Sequence, residues 1–125
     1  MENSNPTMLQ YARYTIIGAI VMMFGQASTG LSQSSADTGQ SHVWTAQIGL
    51  LLCVLTVVFV MMSKTDDSKV KGMSWGLLMA WVIQYGLGEL YANGTSSIAY
   101  IHAVIAMAIL LHAMALLKSI PAGNE

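Results

Sequence analysis

The sequence is poor in charge and in cysteine. Only 9% of its 125 residues are charged, the net charge is −1, and there is a single cysteine. Soluble domains carry about 25% charged residues, so this composition excludes an ordinary soluble domain. No basic stretch is present that could neutralise a run of phosphates, which argues against nucleic acid as a partner. Cys53 has no second cysteine to pair with, so it forms no internal disulfide.

Motifs for independent catalysis are also lacking. The sequence contains no phosphate-binding loop, no nucleophile with a matching base and no hydrolytic metal motif. We therefore expect a protein that is not catalytic alone, although it could belong to an oxidoreductase complex.

What the sequence has in abundance is apolar residues, at 54%. They concentrate in four runs, at residues 14–31, 43–62, 73–91 and 98–117. Each run is close to the roughly 20 residues that a helix needs to cross a bilayer, and backbone groups in lipid must be paired within the helix. The sequence therefore predicts an all-α integral membrane protein, a four-helix bundle of up-down-up-down topology formed by one domain over residues 1–125.

The basic residues indicate the orientation of this bundle. All five fall before the first run, between the second and third, or after the fourth; they are Arg13, Lys64, Lys69, Lys71 and Lys118. The other two connections contain neither lysine nor arginine. Because basic residues collect on the cytoplasmic side, both termini are predicted to be cytoplasmic in a multi-pass protein of the cell (plasma) membrane.

Polar side chains cluster in the half of the runs opposite the basic residues. This cluster contains His42, His102, Gln26, Gln47, Gln84 and Glu89. A polar group that faces lipid is costly, so we expect these side chains to face the bundle interior or a subunit interface.

Two histidines of this cluster stand 60 residues apart. His42 opens the second run and His102 lies in the first turns of the fourth, each after a hairpin with a small polar outer connection. This spacing suggests that the first two helices and the last two form a parallel repeat. Histidines at similar depth on separate helices can ligate one haem, with small residues such as Ala46 and Ala106 letting the helices approach. A cofactor-free polar contact between the histidines is the alternative.

The arrangement resembles one four-helix half of the heme A synthase family, in which histidines of the second and fourth helices ligate a haem near the outer face. His42, His102 and the polar outer connection carry the resemblance over residues 14–117. The family's carboxylate before the first histidine is absent, since Gly39, Gln40 and Ser41 stand there, and so is its outer cysteine pair. The resemblance implies a bis-histidine haem b site and not the synthase reaction. From their depth in the apolar runs, the side chains expected around this site are those of Gln26, Gln47, Gln84 and Glu89.

His112 is expected to play another part. Ten residues beyond His102, it points about 80° away around the helix and lies about 15 Å deeper, so both cannot bind one iron. We expect a buried histidine that is hydrogen-bonded to Thr56 or to a neighbouring subunit.

Three functions remain open at this point. The first is a b-type haem subunit that carries electrons in a respiratory or oxidase-like membrane complex, and the second is a cofactor-free accessory subunit. The third, a small transporter, is disfavoured because Gln26 stands where small multidrug transporters have a first-span glutamate. Short connections leave the bilayer, other membrane subunits or further copies of the chain as the expected partners.

Overall fold

The computed structural model describes residues 4–31, 36–92, 94 and 96–123. Four α-helices account for most of them: α1 (Pro6–Leu31), α2 (Ala36–Met62), α3 (Ser68–Ala92) and α4 (Ala99–Ser119). A short 3₁₀ turn, Ser96–Ile98, leads into α4. The described residues contain no strand, which confirms the predicted all-α four-helix protein.

The helices extend beyond the apolar runs at several ends. α1 begins at Pro6 instead of residue 14, and α2 begins at Ala36 instead of residue 43. His42 opens the apolar run but lies six residues inside α2. The reason is physical: an apolar run marks the part of a helix that suits a membrane, whereas polar residues continue the same backbone outside it. Most of the predicted first outer connection is thus helical, and residues 32–35 lie outside the described residues.

Local signals fix the helix ends at one end of the bundle. Asn5 Oδ1 accepts the backbone N–H of Thr7 at 3.1 Å, with Pro6 at the first helical position of α1. Asp67 Oδ1 accepts the backbone N–H groups of Lys69 and Val70, at 2.9 and 3.1 Å, and so caps α3.

The same end of the bundle gathers both ends of the described chain. The backbone N–H of Asn5 donates to the Ser63 carbonyl after α2, at 2.6 Å. Arg13 donates to the carbonyls of Leu117 and Ile120 at the end of α4, at 2.8 and 2.5 Å. The helices therefore alternate in direction, and the basic residues all stand toward one end, called here the basic end.

Each helix packs against two others. α1 contacts α2 and α4, and α3 contacts α2 and α4. Consequently α2 and α4 lie diagonally opposite each other across the bundle axis, as do α1 and α3.

The buried positions repeat between the two hairpins. Five buried residues of α1 recur in α3 when 58 is added to each number. They are Ala12, Ile16, Ala19, Met23 and Gln26 in α1, and Val70, Ser74, Leu77, Trp81 and Gln84 in α3. With a shift of 60, Gly49, Cys53, Thr56 and Val60 correspond to Ile109, Ala113, Leu116 and Ile120. The hairpins α1–α2 and α3–α4 thus present the same faces to the core, although few side chains are identical.

Polar groups lie inside the bundle while large apolar ones cover it. Thr15 and Thr56 join their hydroxyl oxygens at 2.7 Å in the core. The exposed large apolar side chains include Phe24, Leu51, Val104, Met107 and Leu111, which are 57–67% exposed. A water-soluble bundle does not expose so many large apolar side chains.

Candidate functional site

Two glutamines fix the backbone at the end of the bundle away from the basic residues. Gln84 of α3 donates through Nε2 to the carbonyl of His102 at 2.8 Å. Gln26 of α1 makes the same contact with the carbonyl of His42, and its second N–H goes to the hydroxyl of Thr45. Both glutamines are buried. Each hairpin therefore holds the backbone of its histidine through the same contact. The two glutamines are 58 residues apart in the sequence, and the two histidines are 60 apart.

Glycines leave room for the two rings. A Cβ atom added to Gly30 would lie 3.3 Å from Cε1 of His42, and one added to Gly88 would lie 3.3 Å from Cε1 of His102. Contacts of this length are tight, so each imidazole rests against the bare backbone of the neighbouring helix. The spacing glycine, seven residues, glutamine, three residues, glycine occurs in both helices, as Gly18, Gln26 and Gly30 and as Gly76, Gln84 and Gly88.

The His42 ring is held by a hydroxyl. Thr29 Oγ1 lies 2.9 Å from Nδ1 of His42 and donates its one hydrogen to the Gly25 carbonyl at 2.7 Å. The hydroxyl oxygen is then free to accept the Nδ1–H of His42. This tautomer leaves Nε2 with an unshared electron pair, which is the form of histidine that binds a metal.

The His102 ring is held differently. Its Cε1 and Nε2 atoms, rather than Cε1 and Nδ1, are the ones nearest the facing glycine. Its Nδ1 is buried and has no hydrogen-bond partner among the described residues, and the same holds for Oε1 of Gln84. Buried nitrogen and oxygen atoms normally have hydrogen-bond partners, so these two atoms are exceptions within the described part of the chain.

The two rings lie close together, edge to face, across the bundle axis. Their centroids are 6.4 Å apart and their planes are inclined by 66°. An imidazole nitrogen lies about 2.0 Å from a bound metal, so two rings that share one ion have centroids about 6 Å apart. The separation of His42 and His102 matches this value, although the helices that carry them are not neighbours.

A cavity of about 260 Å³ adjoins the histidines. Trp81, Met23, Ala46 and Tyr85 contribute to its wall, and exposed residues of α2 and α3, among them Val43 and Glu89, lie at its rim. The volume lies slightly below the roughly 300–1,000 Å³ of most ligand pockets. Trp81 closes the cavity toward the basic end and donates through Nε1 to the Ala46 carbonyl at 3.0 Å.

The predicted polar cluster divides into two groups. Gln26 and Gln84 are buried beside the histidines, whereas Gln47 and Glu89 are exposed. Gln47 reaches only the hydroxyl of Tyr85, at 3.5 Å. Glu89 lies at the rim of the cavity. For these two residues, burial inside the bundle is wrong, and a subunit interface remains the expectation.

His112 lies in the other half of the bundle. It donates through Nε2 to the Met73 carbonyl at 2.8 Å, next to Gly76. The expected bond to Thr56 is wrong, because Thr56 is paired with Thr15. His112 therefore joins α4 to α3 and stands apart from the histidine pair.

Residues missed by sequence reasoning include Thr29 as a ring partner, Gly30 as a ring support, and Trp81 as the wall. The glycine and glutamine spacing that α1 shares with α3 could have identified Gly30. Within the described ranges, no three or more His, Cys, Asp or Glu residues are grouped to hold a metal ion. A haem requires only two protein ligands. Comparison with protein-family models, curated proteins and solved structures finds no match to this chain.

Proposed function

We propose that this chain is a membrane-embedded haem protein, with one b-type haem held between His42 and His102, and that it carries electrons as a subunit of a larger membrane complex. The observation that carries the proposal is that the imidazoles of two diagonal helices lie with their centroids 6.4 Å apart.

Support for the membrane setting comes from composition and from the apolar exterior. Among the described residues, two helices, Gln40–Met62 and Ala99–Ser119, are long and apolar enough to cross a membrane. α1 and α3 have polar residues such as Gln26 and Gln84 on their inner faces, where the other helices cover them. With the basic end in the cytoplasm, the histidine pair lies near the outer face of the plasma membrane.

The donor set supports the choice of a haem. The Nδ1 atom of His102 has no hydrogen-bond partner among the described residues, and Nε2 of His42 is left with its electron pair by the contact with Thr29. A haem bound there supplies one-electron chemistry, gaining and losing an electron at its iron. The chain contributes the two ligands, the glycines that admit their rings, and the glutamines that fix both histidine backbones.

The need for partners follows from the small polar surface of the protein. The turns that join the helices are short, and the described residues outside the helices form no domain that could dock a soluble donor. We infer that electrons enter or leave through other membrane subunits or a further copy of the chain, and that this chain alone catalyses no reaction.

The spectrum of the purified protein tests the site. We expect sharp reduced-state bands of a bis-histidine haem, because His42 and His102 would both hold the iron. His42→Ala and His102→Ala should each abolish or convert these bands. His112→Ala is the matched control and should leave them intact, since that ring bonds to Met73 in the other half of the bundle.

Two results would contradict this proposal. Folded, fully assembled protein without a haem spectrum would favour the cofactor-free accessory subunit. Loss of the bands in His112→Ala alone would place the site at the basic end.

Orientation is tested by reporter fusions. A reporter after Glu125 should be cytoplasmic, and one inserted at Asp37 should be external, because the basic residues collect at the opposite end from α2's beginning. An external reporter at Glu125 would contradict the proposed topology.

A further inference from the structure

The outer surface of α2 carries an amide that the fold leaves almost unused. Gln47 is exposed, and its one hydrogen bond within the described part of the chain is long, 3.5 Å from Nε2 to the hydroxyl of Tyr85 in α3. At helical spacing, Gln47 shares its side of α2 with Val43 and Val54, which are 44% and 40% exposed. In the proposed membrane setting, an amide among such apolar side chains is costly unless another group pairs with it.

The neighbouring helix leaves open space beside this amide. Gly86 follows Tyr85, and a Cβ atom added to Gly86 would meet nothing within 4 Å. Val82 and Glu89, at helical spacing from Gly86, are exposed on the same side of α3. The bare backbone of a glycine lets another helix approach closely. We define the α2–α3 face by its exposed residues, which are Val43, Gln47, Val54, Val82, Gly86 and Glu89.

The internal repeat shows that the fold does not require this amide. A shift of 60 takes Gln47 to Met107 of α4, which is 61% exposed. Because the two hairpins present the same positions to the core, an apolar side chain satisfies the equivalent place in the other half. Packing within the chain therefore does not explain the amide of Gln47, which distinguishes the α2–α3 face from the equivalent face of α4 and α1.

The chemistry of the α2–α3 face fits a second copy of the chain. A primary amide has both N–H donors and a carbonyl acceptor, so two such amides can donate to each other. Copies with their basic ends on one side of the membrane are parallel, so a two-fold axis relating them runs along the membrane normal and keeps equivalent residues at one depth. The only charged residue of the face is Glu89, three residues before the end of α3, where it can reach the water at the headgroups. The face thus complements itself without a charge from another protein.

We propose that the α2–α3 face is the contact between two copies of this chain, in which Gln47 pairs with Gln47 of the partner subunit and Gly86 admits the partner's helix. Val43 and Glu89 also lie at the rim of the cavity beside the histidines, so the second copy covers the opening of that cavity. The inference rests on the proposed function for the membrane setting and for the occupant of the cavity.

Dissociation of the full-length protein in lipid vesicles tests the contact. Fluorescence energy transfer between differently labelled copies is followed as the vesicles are diluted with lipid. Gly86→Leu should weaken association at least about tenfold, because the side chain has room in one chain but blocks close approach of another. Ser28→Leu is the matched control on α1, since a shift of 58 relates Ser28 to Gly86, and it should stay within about twofold of the unmodified protein. Thermal unfolding of both variants shows that the fold is retained.

The amide is tested by copying the other half. Gln47→Met gives α2 the residue that α4 has at the equivalent position and should weaken association about tenfold, because two interhelical hydrogen bonds are lost. In a Cys53→Ala background, Gln47→Cys should be joined to a second copy by a short bifunctional thiol reagent in native membranes. Met107→Cys, the equivalent position on α4, should not be joined. Mass spectrometry of the joined species identifies what lies against the face.

The outcomes separate this inference from the proposed function. Equal weakening by Gly86→Leu and Ser28→Leu, or equal joining through Gln47→Cys and Met107→Cys, would overturn the choice of face. A different polypeptide joined to Gln47→Cys would overturn the second copy as the occupant. Monomeric protein with intact bis-histidine bands would overturn the contact and leave the haem site in place, whereas a dimer without a haem spectrum would overturn the haem site and leave the contact.

Discussion

The hairpins α1–α2 and α3–α4 share their buried positions but differ in the side chains that fill them. Where Trp81 of α3 packs on Gly49 of α2, the equivalent positions in the other half are Met23 of α1 and Ile109 of α4. One half therefore pairs a very large residue with the smallest one, whereas the other half has two residues of intermediate size at the same positions. The comparison teaches that, at this contact, the repeat keeps a similar combined volume with different residues.

The comparison also separates the site residues that both halves share from those that differ between the halves. Both halves keep a glutamine for the histidine backbone and a glycine for the ring. Thr29 and Leu87 break the match, as do Leu52 and His112. The site is therefore symmetric in its backbone and asymmetric in the hydrogen bonds to its rings.

The largest expected effect comes from substitutions that give α2 and α3 the residues found at the equivalent positions of α4 and α1. A Cβ atom on Gly49 would overlap the ring of Trp81, so Gly49→Ile alone should lower the free energy of unfolding by about 3 kcal/mol. Trp81→Met alone should lower it by about 2 kcal/mol through the cavity it leaves. The double variant reproduces the Met23 and Ile109 pair and should lie within about 1 kcal/mol of the unmodified protein. Thermal unfolding in detergent measures all three, and simple additivity of the two losses would break the comparison.

A smaller effect should distinguish the two glutamines. Gln26 donates two hydrogen bonds, to His42 and Thr45, whereas Gln84 donates one to His102 and has an unpartnered oxygen among the described residues. Each hydrogen bond contributes about 1 kcal/mol, so Gln26→Leu should destabilise the protein by about 1 kcal/mol more than Gln84→Leu. The unfolding free energies in detergent give this difference, and a greater loss in Gln84→Leu would contradict the asymmetry.

The smallest effect concerns the two ring-supporting glycines. Gly30→Ala and Gly88→Ala should each change the free energy of unfolding by less than about 1 kcal/mol, because the gain in helix propensity offsets the tight contact with the imidazole. The two values should agree, since the Cβ contact is 3.3 Å in both halves. A difference above about 1 kcal/mol between the two variants would show that the ring sites are less alike than the backbone indicates.

Much of the fold could be predicted because it depends on local properties. The four apolar runs predicted four helices, and the all-α architecture is confirmed. Membrane crossing and orientation stay predictions. The start of α2 was missed because hydropathy does not register a helix that continues through polar residues such as Gln40 and Ser41.

The site was predictable only in part. His42, His102, Gln26 and Gln84 were named from depth and polarity alone, and the structure brings these four together. The inward placement of Gln47 and Glu89 failed because depth along a helix does not give the direction around it. The partner of His112 was missed for a related reason, since a backbone carbonyl such as that of Met73 leaves no trace in the identity of its residue.

The sequence by itself determined the helices, the distribution of charge and the spacing of 60 between two histidines, because these depend on residue type and order. Only the tertiary structure decided that α2 and α4 are diagonal, that their imidazoles meet at 6.4 Å, and that Thr29 supports one ring while the other has no such partner. These features depend on how helices rotate and pack against one another. Packing is set by the volumes of all the contacting side chains together, as the exchange between Trp81 with Gly49 and Met23 with Ile109 illustrates.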